Sequence, residues 1–139
     1  MLRGEIWRPV TVVGYQAYQV SNIGRVRWHG RPVLSRPGGS RAYAYRQVKL
    51  RAPPRRQLRK AVHLLVWWAF CGWVPPGWLV HHRDECTLNN ALGNLRVISS
   101  AGHLALHRVA RISADARRGR PRAEVLAAAA ARREARHAG

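Results

Sequence analysis

Two pairs of histidines between residues 81 and 107 are the side chains best suited to chemistry in this sequence. His81 and His82 are adjacent, and neighbouring side chains of a strand point to opposite faces. One imidazole of this pair can then hold a metal ion while the other faces a water molecule. His103 and His107 are spaced i, i+4, which on a helix places both rings on one face. The spacing therefore indicates a metal site with a water-facing imidazole beside it.

Three asparagines, Asn89, Asn90 and Asn94, lie between the two histidine pairs. Their amides can hydrogen-bond the backbone and fix the loop that presents the histidines. Each feature has an ordinary structural explanation when taken alone, because adjacent histidines arise by chance and asparagine-rich loops are usually turns. Their combination in one strand, loop, strand and helix unit is what favours a functional site.

The elements that position this unit follow from periodicity and turn residues. Short β-type runs at 7–13, 18–20, 25–28 and 43–50 are separated by turn signals at Gly14, Gly30 and 37–39. Residues 51–59 predict a basic loop or an edge hairpin, because Pro53 and Pro54 interrupt ladder pairing. An apolar stripe predicts a helix at 60–70. Beyond it we expect a strand at 78–82, a loop at 84–94, a strand at 95–98 and a helix at 100–110, with Ser99 or Ser100 as its N-cap.

The charge balance predicts a polyanionic partner. The chain holds 25 Lys and Arg against 6 Asp and Glu, a formal net charge of +19, and nucleic acid is the commonest partner of such a chain. A membrane surface is the alternative, but no apolar run approaches the ~20 residues needed to span a bilayer. No membrane association and an intracellular location are expected, since no signal-peptide pattern is seen at the N-terminus. Cys71 and Cys86 form no CxxC pair and are expected to be reduced, with Cys71 buried.

The site segments resemble a known family. The segment VHHRD at 80–84, the pair NN at 89–90, NL at 94–95 and the histidine at 103 resemble the ββα-metal core of the HNH endonucleases. The stretch VHLLV at 62–66, followed by AF at 69–70, resembles the helix that precedes this core in phage and homing-type members. Residues 5–27 resemble the β-rich DNA-binding module that such nucleases carry. Together the resemblance covers roughly residues 5–107.

The resemblance implies a role for each site residue. His82 is the implied general base that deprotonates the attacking water, a task that imidazole performs near neutral pH. His81, His103 and His107 are the implied ligands of one divalent metal ion. Asn94 is implied to be structural, fixing the loop and hence the ring of His82. The metal is left open between Mg, Mn, Ni and Zn, although imidazole-rich sites suit zinc, nickel or manganese better than magnesium.

One departure from the family pattern bears on turn stability. Glu85 stands where many relatives carry Gly in an Asp-Gly turn. Because Gly tolerates positive φ and Glu does not easily do so, we expect some loss of turn stability. The carboxylate also lies near the expected metal, where it can assist the metal or repel phosphate.

Arginines are expected to contact DNA at both ends of the chain. In the N-terminal sheet the aromatic side chains are expected to point inward and the arginines to face DNA. The sequence RGRP at 118–121 resembles the AT-hook core, whose arginines enter the minor groove. Trp67, Trp68, Trp73 and Trp78 are expected to be packing residues rather than base-stacking ones. The expected DNA-binding residues are Arg25, Arg27, Arg46, Arg51, Arg118 and Arg120.

The prediction is an α+β protein with three segments. Residues 1–59 are an antiparallel β-rich DNA-binding region, 60–112 the HNH core with its preceding helix, and 113–139 a basic arm that is helical or disordered. The predicted function is a metal-dependent endonuclease of double-stranded DNA that nicks one strand per active site. It is expected to be a monomer or homodimer, with a phage or mobile-element protein as a possible partner.

Two alternatives remain open. The first is a non-catalytic DNA-binding protein that keeps this fold around a structural metal, since Glu85 and the scarcity of carboxylates depart from the family pattern. The second is an RNA-binding protein, because charge alone does not distinguish RNA from DNA.

Overall fold

The computed structural model describes residues 4–40, 43–117 and 131, and has an α+β architecture. The elements are β1 (Trp7–Pro9), β2 (Tyr18–Ser21), β3 (Val26–Trp28), β4 (Arg31–Val33), β5 (Arg36–Ser40), β6 (Tyr43–Ala52), β7 (Arg56–Ala61), α1 (Val62–Cys71), β8 (Trp78–His82), β9 (Leu95–Ser99) and α2 (Ser100–Arg117). A short 3-10 turn, Leu92–Asn94, precedes β9. The chain divides into two units, Met1–Ile98 and Ser99–Gly139.

The first sheet is an antiparallel meander in the order β1-β2-β3-β4. Strands β3 and β4 are joined by a two-residue turn, because Trp28 pairs with Arg31. The two turn residues, His29 and Gly30, have φ of 45° and 79°. Positive φ at both central positions matches the right-handed twist of the flanking strands. The predicted turn at Gly30 is therefore confirmed, although the short strand β4 beyond it was not predicted.

The second sheet has the antiparallel order β5-β6-β7 and corrects one turn prediction. Pro37, Gly38 and Gly39, expected to form a turn, lie inside β5. Strand β5 is an edge strand, where a proline that cannot donate a ladder hydrogen bond is tolerated. A Cβ at Gly38 would lie 2.8 Å from Cδ of Gln47, so glycine permits this approach. Strands β6 and β7 form the edge-hairpin alternative, with Ala52 paired to Arg56.

Helix α1 packs its apolar stripe into a core shared by the N-terminal strands and the strands after the helix. Val62, Leu65 and Val66 on this stripe are buried. The core residues are Val10, Tyr15, Tyr18, Val20, Val26, Val48, Leu50, Val62, Leu65, Val66, Val80 and Leu95. This single cluster therefore draws on both of the segments predicted as 1–59 and 60–112.

The end of α1 corrects two burial predictions. Cys71, expected to be buried, is exposed. It is the last residue of the helix and lies nine positions after Val62, on the opposite side at 3.6 residues per turn. Trp67 and Trp68 pack against the core as expected, and Trp73, although 76% exposed, stacks on Trp68 with ring centroids 4.9 Å apart. Trp78, by contrast, is 51% exposed. Trp73 and Trp78 both lie outside α1, after Gly72 has turned the chain away with a φ of 95°.

The second unit begins at the predicted cap. The backbone N–H of Gly102 donates to Oγ of Ser99 at 3.0 Å, which makes Ser99 the N-cap of α2. The helix runs to Arg117, past its predicted end at residue 110. The expected DNA-binding residues Arg118 and Arg120 lie outside the described residues, as does most of the predicted arm. None of the helices described is both long and apolar enough to cross a membrane.

Candidate active site

Strand β8 holds His81 and His82 on opposite faces, as expected from alternation. His82 is 3% exposed and shares its buried side of the strand with Val80, whereas His81 is half-buried. Their different burial gives the two imidazoles different surroundings. His82 is the more deeply buried of the two.

The ring of His82 is fixed by Asn90, which sequence reasoning had placed only among the loop asparagines. Nε2 of His82 lies 3.0 Å from Oδ1 of Asn90, which is itself 3% exposed. The Asn90 amide group donates to the carbonyl of Leu88 at 3.4 Å, so its oxygen is the atom that faces the ring. An acceptor at this position requires Nε2 of His82 to carry the proton. Nδ1 is then the ring nitrogen with a lone pair, as a general base needs.

Two further aromatic side chains pack against His82. The rings of His63 and His82 lie edge to face with centroids 5.0 Å apart, and Tyr45 lies 5.1 Å from His63 and 6.0 Å from His82. Burial, and secondarily electrostatic repulsion between the His63 and His82 rings when both bind protons, lowers the pKa of His63 to about 4. His63 is therefore neutral at physiological pH. Its sequence signal was a lone polar residue inside the apolar helix α1.

The loop after β8 is organised by Asp84, which was not among the predicted site residues. Its carboxylate accepts from the side chains of Asn89 and Asn94, each at 2.8 Å, and from the backbone N–H of Cys86 at 2.9 Å. These hydrogen bonds, that from Asn89 first, hold the pKa of Asp84 below its usual range. Asn94 also donates to the carbonyl of Asn89 at 2.9 Å and accepts from the backbone of Asp84 at 3.1 Å. Asn94 thus fixes the loop, while contact with the His82 ring comes from Asn90.

Glu85 adopts the backbone conformation that the family pattern assigns to glycine. Its φ is 60°, within the left-handed region. The side chain is exposed, so burial of the side chain does not offset the backbone cost. The expected strain at this turn is therefore present.

In the second unit, His103 and His107 face each other across one turn of α2. Their Nε2 atoms are 2.9 Å apart and their ring centroids 4.3 Å apart. Partial burial, and then repulsion from His107, lowers the pKa of His103. Two imidazoles whose nitrogens converge suit a divalent transition metal. Within the part of the chain that the structure describes, no three His, Cys, Asp or Glu side chains form a group able to hold a metal. The pair thus supplies two donors, and His81 belongs to the other unit.

A basic face on the second sheet is the candidate DNA interface. Cross-strand pairing places Arg36 beside Gln47, Lys49 beside Arg59, and Arg51 beside Gln57 on the same side of the sheet. Its four cationic side chains are exposed, and no Asp or Glu occurs anywhere from residue 6 to residue 83. We call Arg36, Lys49, Arg51 and Arg59 the basic face. Strand alternation was the signal that could have identified Lys49 and Arg59.

The other arginines expected to bind DNA differ in their surroundings. Arg25 pairs with the buried carboxylate of Glu5, and its guanidinium lies 5.6 Å from the Trp7 ring. Arg27 hydrogen-bonds Oε1 of Gln19 at 2.6 Å and lies 4.1 Å from the same ring. Arg46 donates to the backbone and hydroxyl oxygens of Ser35, each at 3.4 Å. Of the four expected arginines in this region, Arg51 is the one on the basic face.

Strand β8, its loop, strand β9 and helix α2 follow one another along the chain, with histidines at the end of β8 and on α2, which is the order that the resemblance to the HNH endonucleases predicts. The HNH endonuclease family matches residues 60–105, and the NUMOD4 motif matches residues 5–63. The segment that matches the HNH endonuclease family thus follows the segment that matches the NUMOD4 motif along the chain.

A solved structure shares this architecture. It is described as "DNA binding and cleavage by the HNH homing endonuclease I-HmuI", with 25% identity and a TM-score of 0.64. The match covers 76% of this chain and 59% of that chain, so this protein spans well under two thirds of the other's length. No protein of curated function matches the sequence.

Proposed function

We propose that this protein is a metal-dependent endonuclease of double-stranded DNA in which His82 activates the attacking water. The observation that carries the proposal is the hydrogen bond between Nε2 of His82 and Oδ1 of Asn90. With the proton on Nε2, Nδ1 is the ring nitrogen that can accept a proton, in a side chain that is 3% exposed. The HNH domain at residues 60–105 and the likeness to a homing endonuclease support the same activity.

The reaction is hydrolysis of one phosphodiester bond. Nδ1 of His82 takes a proton from water, the water oxygen bonds to phosphorus, and the bond from phosphorus to the 3′ oxygen breaks. The leaving 3′ oxygen takes up a proton from solvent water, and His82 afterwards releases its proton to solvent, giving 5′-phosphate and 3′-hydroxyl ends. One such site cuts one strand, so a double-strand break requires two chains or two visits.

His81, His103 and His107 are the residues we assign to the metal. The converging Nε2 atoms of His103 and His107 fit a transition-metal ion, with the donor set favouring zinc, nickel or manganese. The chemistry that a bound divalent ion supplies here is Lewis-acid polarisation of the scissile phosphate and stabilisation of the leaving 3′ oxygen.

The basic face is the surface we assign to the DNA backbone. Its four cations lie on neighbouring strands of one sheet, and the chain has no acidic residue from 6 to 83 to oppose phosphate there. Contacts of this kind set the position of a protein on the duplex and make binding depend on salt.

The test is nicking of supercoiled plasmid by wild type and His82→Ala, with EDTA, Mg²⁺, Mn²⁺, Ni²⁺ and Zn²⁺ in separate reactions. His29→Asn is the matched control, since His29 lies in the β3–β4 turn and Asn tolerates its positive φ. We expect metal-dependent open circle from wild type and His29→Asn, and none from His82→Ala. DNA binding by all three proteins without cutting under any metal would favour the non-catalytic DNA-binding alternative.

A further inference from the structure

The turn between β2 and β3 packs directly against the loop that holds Asn90. At Gly24, where φ is +84°, a Cβ would lie 2.8 Å from Cβ of Asn90 and 3.1 Å from its carbonyl oxygen. Real Cβ atoms do not approach so closely, so this contact requires glycine. Beside it, the backbone N–H of Leu92 donates to the carbonyl of Asn22 at 2.7 Å. The turn therefore meets the active-site loop on both sides of residue 91.

The turn is itself firmly held. Ser21 is fully buried, its carbonyl accepts from the N–H of Gly24 at 3.0 Å, and its hydroxyl accepts from the N–H of Arg25 at 3.1 Å. The Asn22 side chain accepts from the N–H of Ile6 at 2.9 Å and donates to the carbonyl of Gly4 at 3.0 Å. Because these hydrogen bonds fix the turn, they also fix the position of the Asn90 loop that packs against it.

Asn90 lies between this turn and the base. Its backbone and Cβ touch the Gly24 turn, and its side-chain oxygen holds Nε2 of His82. We propose that Asn90 is the positioning residue for His82, and that the Gly24 turn of the NUMOD4 segment holds Asn90 in place. This proposal rests on the proposed role of His82 as the base.

The consequence is that the NUMOD4 segment, residues 5–63, completes the nuclease site as well as preceding it in the chain. Among the residues that the structure describes, Asn90 supplies the hydrogen-bond acceptor for Nε2 of His82, so removing its oxygen removes the contact that selects the Nε2–H tautomer. A ring that divides its time between tautomers presents Nδ1 to water for only part of that time.

The first measurement reads the tautomer without using cleavage. A long-range ¹H–¹⁵N correlation spectrum of protein labelled with ¹⁵N-histidine distinguishes the two neutral forms, and His82 is assigned by its absence in His82→Gln. We expect the Nε2–H form in wild type, a mixture in Asn90→Leu, and the Nε2–H form again in Asn90→Asp, which keeps an acceptor. An Nδ1–H form in wild type, or no change in Asn90→Leu, would overturn the proposal.

The second measurement tests the turn by comparing Gly24→Ala with Gly14→Ala. Both glycines have similar positive φ, +84° and +86°, but a Cβ at Gly14 meets nothing within 4 Å. Both substitutions therefore introduce similar backbone strain, but only the added Cβ of Gly24→Ala also contacts Asn90. We expect Gly24→Ala to lower kcat for plasmid nicking by ~10- to 100-fold, as loss of a supporting residue typically does, while DNA affinity and the Gly14→Ala kcat stay near wild type.

Failure of the two proposals can be told apart. If His82→Ala still cuts, the assignment of the base is wrong, whatever the spectra show. If His82→Ala is inactive while Gly24→Ala matches Gly14→Ala in both kcat and the His82 spectrum, the positioning role is wrong. If Gly24→Ala does not fold, Asn90→Leu decides the matter through its spectrum and its kcat relative to Asn90→Asp.

Discussion

Lys49 and Arg59 lie directly opposite each other on the antiparallel strands β6 and β7, with both side chains exposed. Like charges in cross-strand register destabilise a sheet. The neighbouring cations Arg36 and Arg51 on the same face add to this repulsion instead of relieving it. Such an arrangement is explained when a polyanion covers the face, which is why we place the DNA backbone there.

Lys49→Glu should raise stability and weaken DNA binding together. The carboxylate would pair with Arg59 in place of the repulsion, a gain of about 0.5 kcal/mol in the free energy of unfolding. Binding would lose one phosphate contact and gain a repulsive charge, so the slope of log affinity against log salt should fall by about 1. Urea melts and salt-dependent binding isotherms measure the two effects. Lys49→Gln should have stability and DNA affinity between those of wild type and Lys49→Glu. Unchanged DNA binding in both variants would show that the basic face does not contact DNA.

His63 should make stability depend on pH between about 6.5 and 4. The unfolded chain binds a proton at His63 near pH 6.5, whereas in the folded protein the pKa of His63 is about 4. The free energy of unfolding is therefore at its full value at pH 7. It falls as pH falls from about 6.5 to 4, by roughly 3 kcal/mol in total, because the folded protein resists protonation of His63.

His63→Leu should remove this pH dependence. Nδ1 of His63 is buried without a hydrogen-bond partner among the described residues, so an apolar side chain costs little there at pH 7. Denaturant melts at pH 7 and pH 5 on wild type and His63→Leu give the difference directly. Parallel losses of stability in the two proteins would contradict the prediction.

Glu85→Gly should stabilise the protein by about 1 kcal/mol, because glycine adopts φ of 60° without the steric cost that a side chain incurs. Glu85→Ala removes the same charge but keeps the strain, so comparing the two variants distinguishes the effect of backbone strain on stability from the effect of the lost charge. Thermal melts of the three proteins provide the measurement. Equal stability of the Gly and Ala variants would mean that the turn is not strained.

Asp84→Asn should loosen the loop between β8 and β9. The amide would turn a donor towards the donating side chain of Asn89, which now bonds the carboxylate at 2.8 Å. Hydrogen exchange at the loop amides should speed up, and nicking should slow. In wild type the same loop should loosen in acid, since a carboxylate with a lowered pKa stabilises above about pH 3.9 and loses its effect as pH falls below that. Unchanged exchange in Asp84→Asn would argue against its central role.

His103→Ala and His107→Ala should each weaken binding of Zn²⁺ or Ni²⁺, because each removes one of two converging ring nitrogens. Calorimetric titration with the metal alone checks this without DNA. His29→Asn serves as the control for loss of a histidine elsewhere. Wild-type affinity in both α2 variants would show that the metal binds at other residues.

Much of the local structure followed from the sequence. The strand ending at His82, the cap at Ser99 and the i, i+4 facing of His103 and His107 depend on alternation, helical period and one hydroxyl. The exposed Cys71 and the strand at Pro37–Gly39 were missed, because helix ends and edge strands depend on what packs beside them.

The sequence by itself determined the family of the site, the elements that carry its histidines and the charge of its partner, since these depend on residue types at short spacing. The tertiary structure decided which group holds the base. Asn90, rather than Asn94, contacts His82, and Asn90 packs against Gly24, which lies in the β2–β3 turn, distant in sequence. Such a contact forms only when burial of a shared core brings distant segments together, and no local pattern records which atoms then meet.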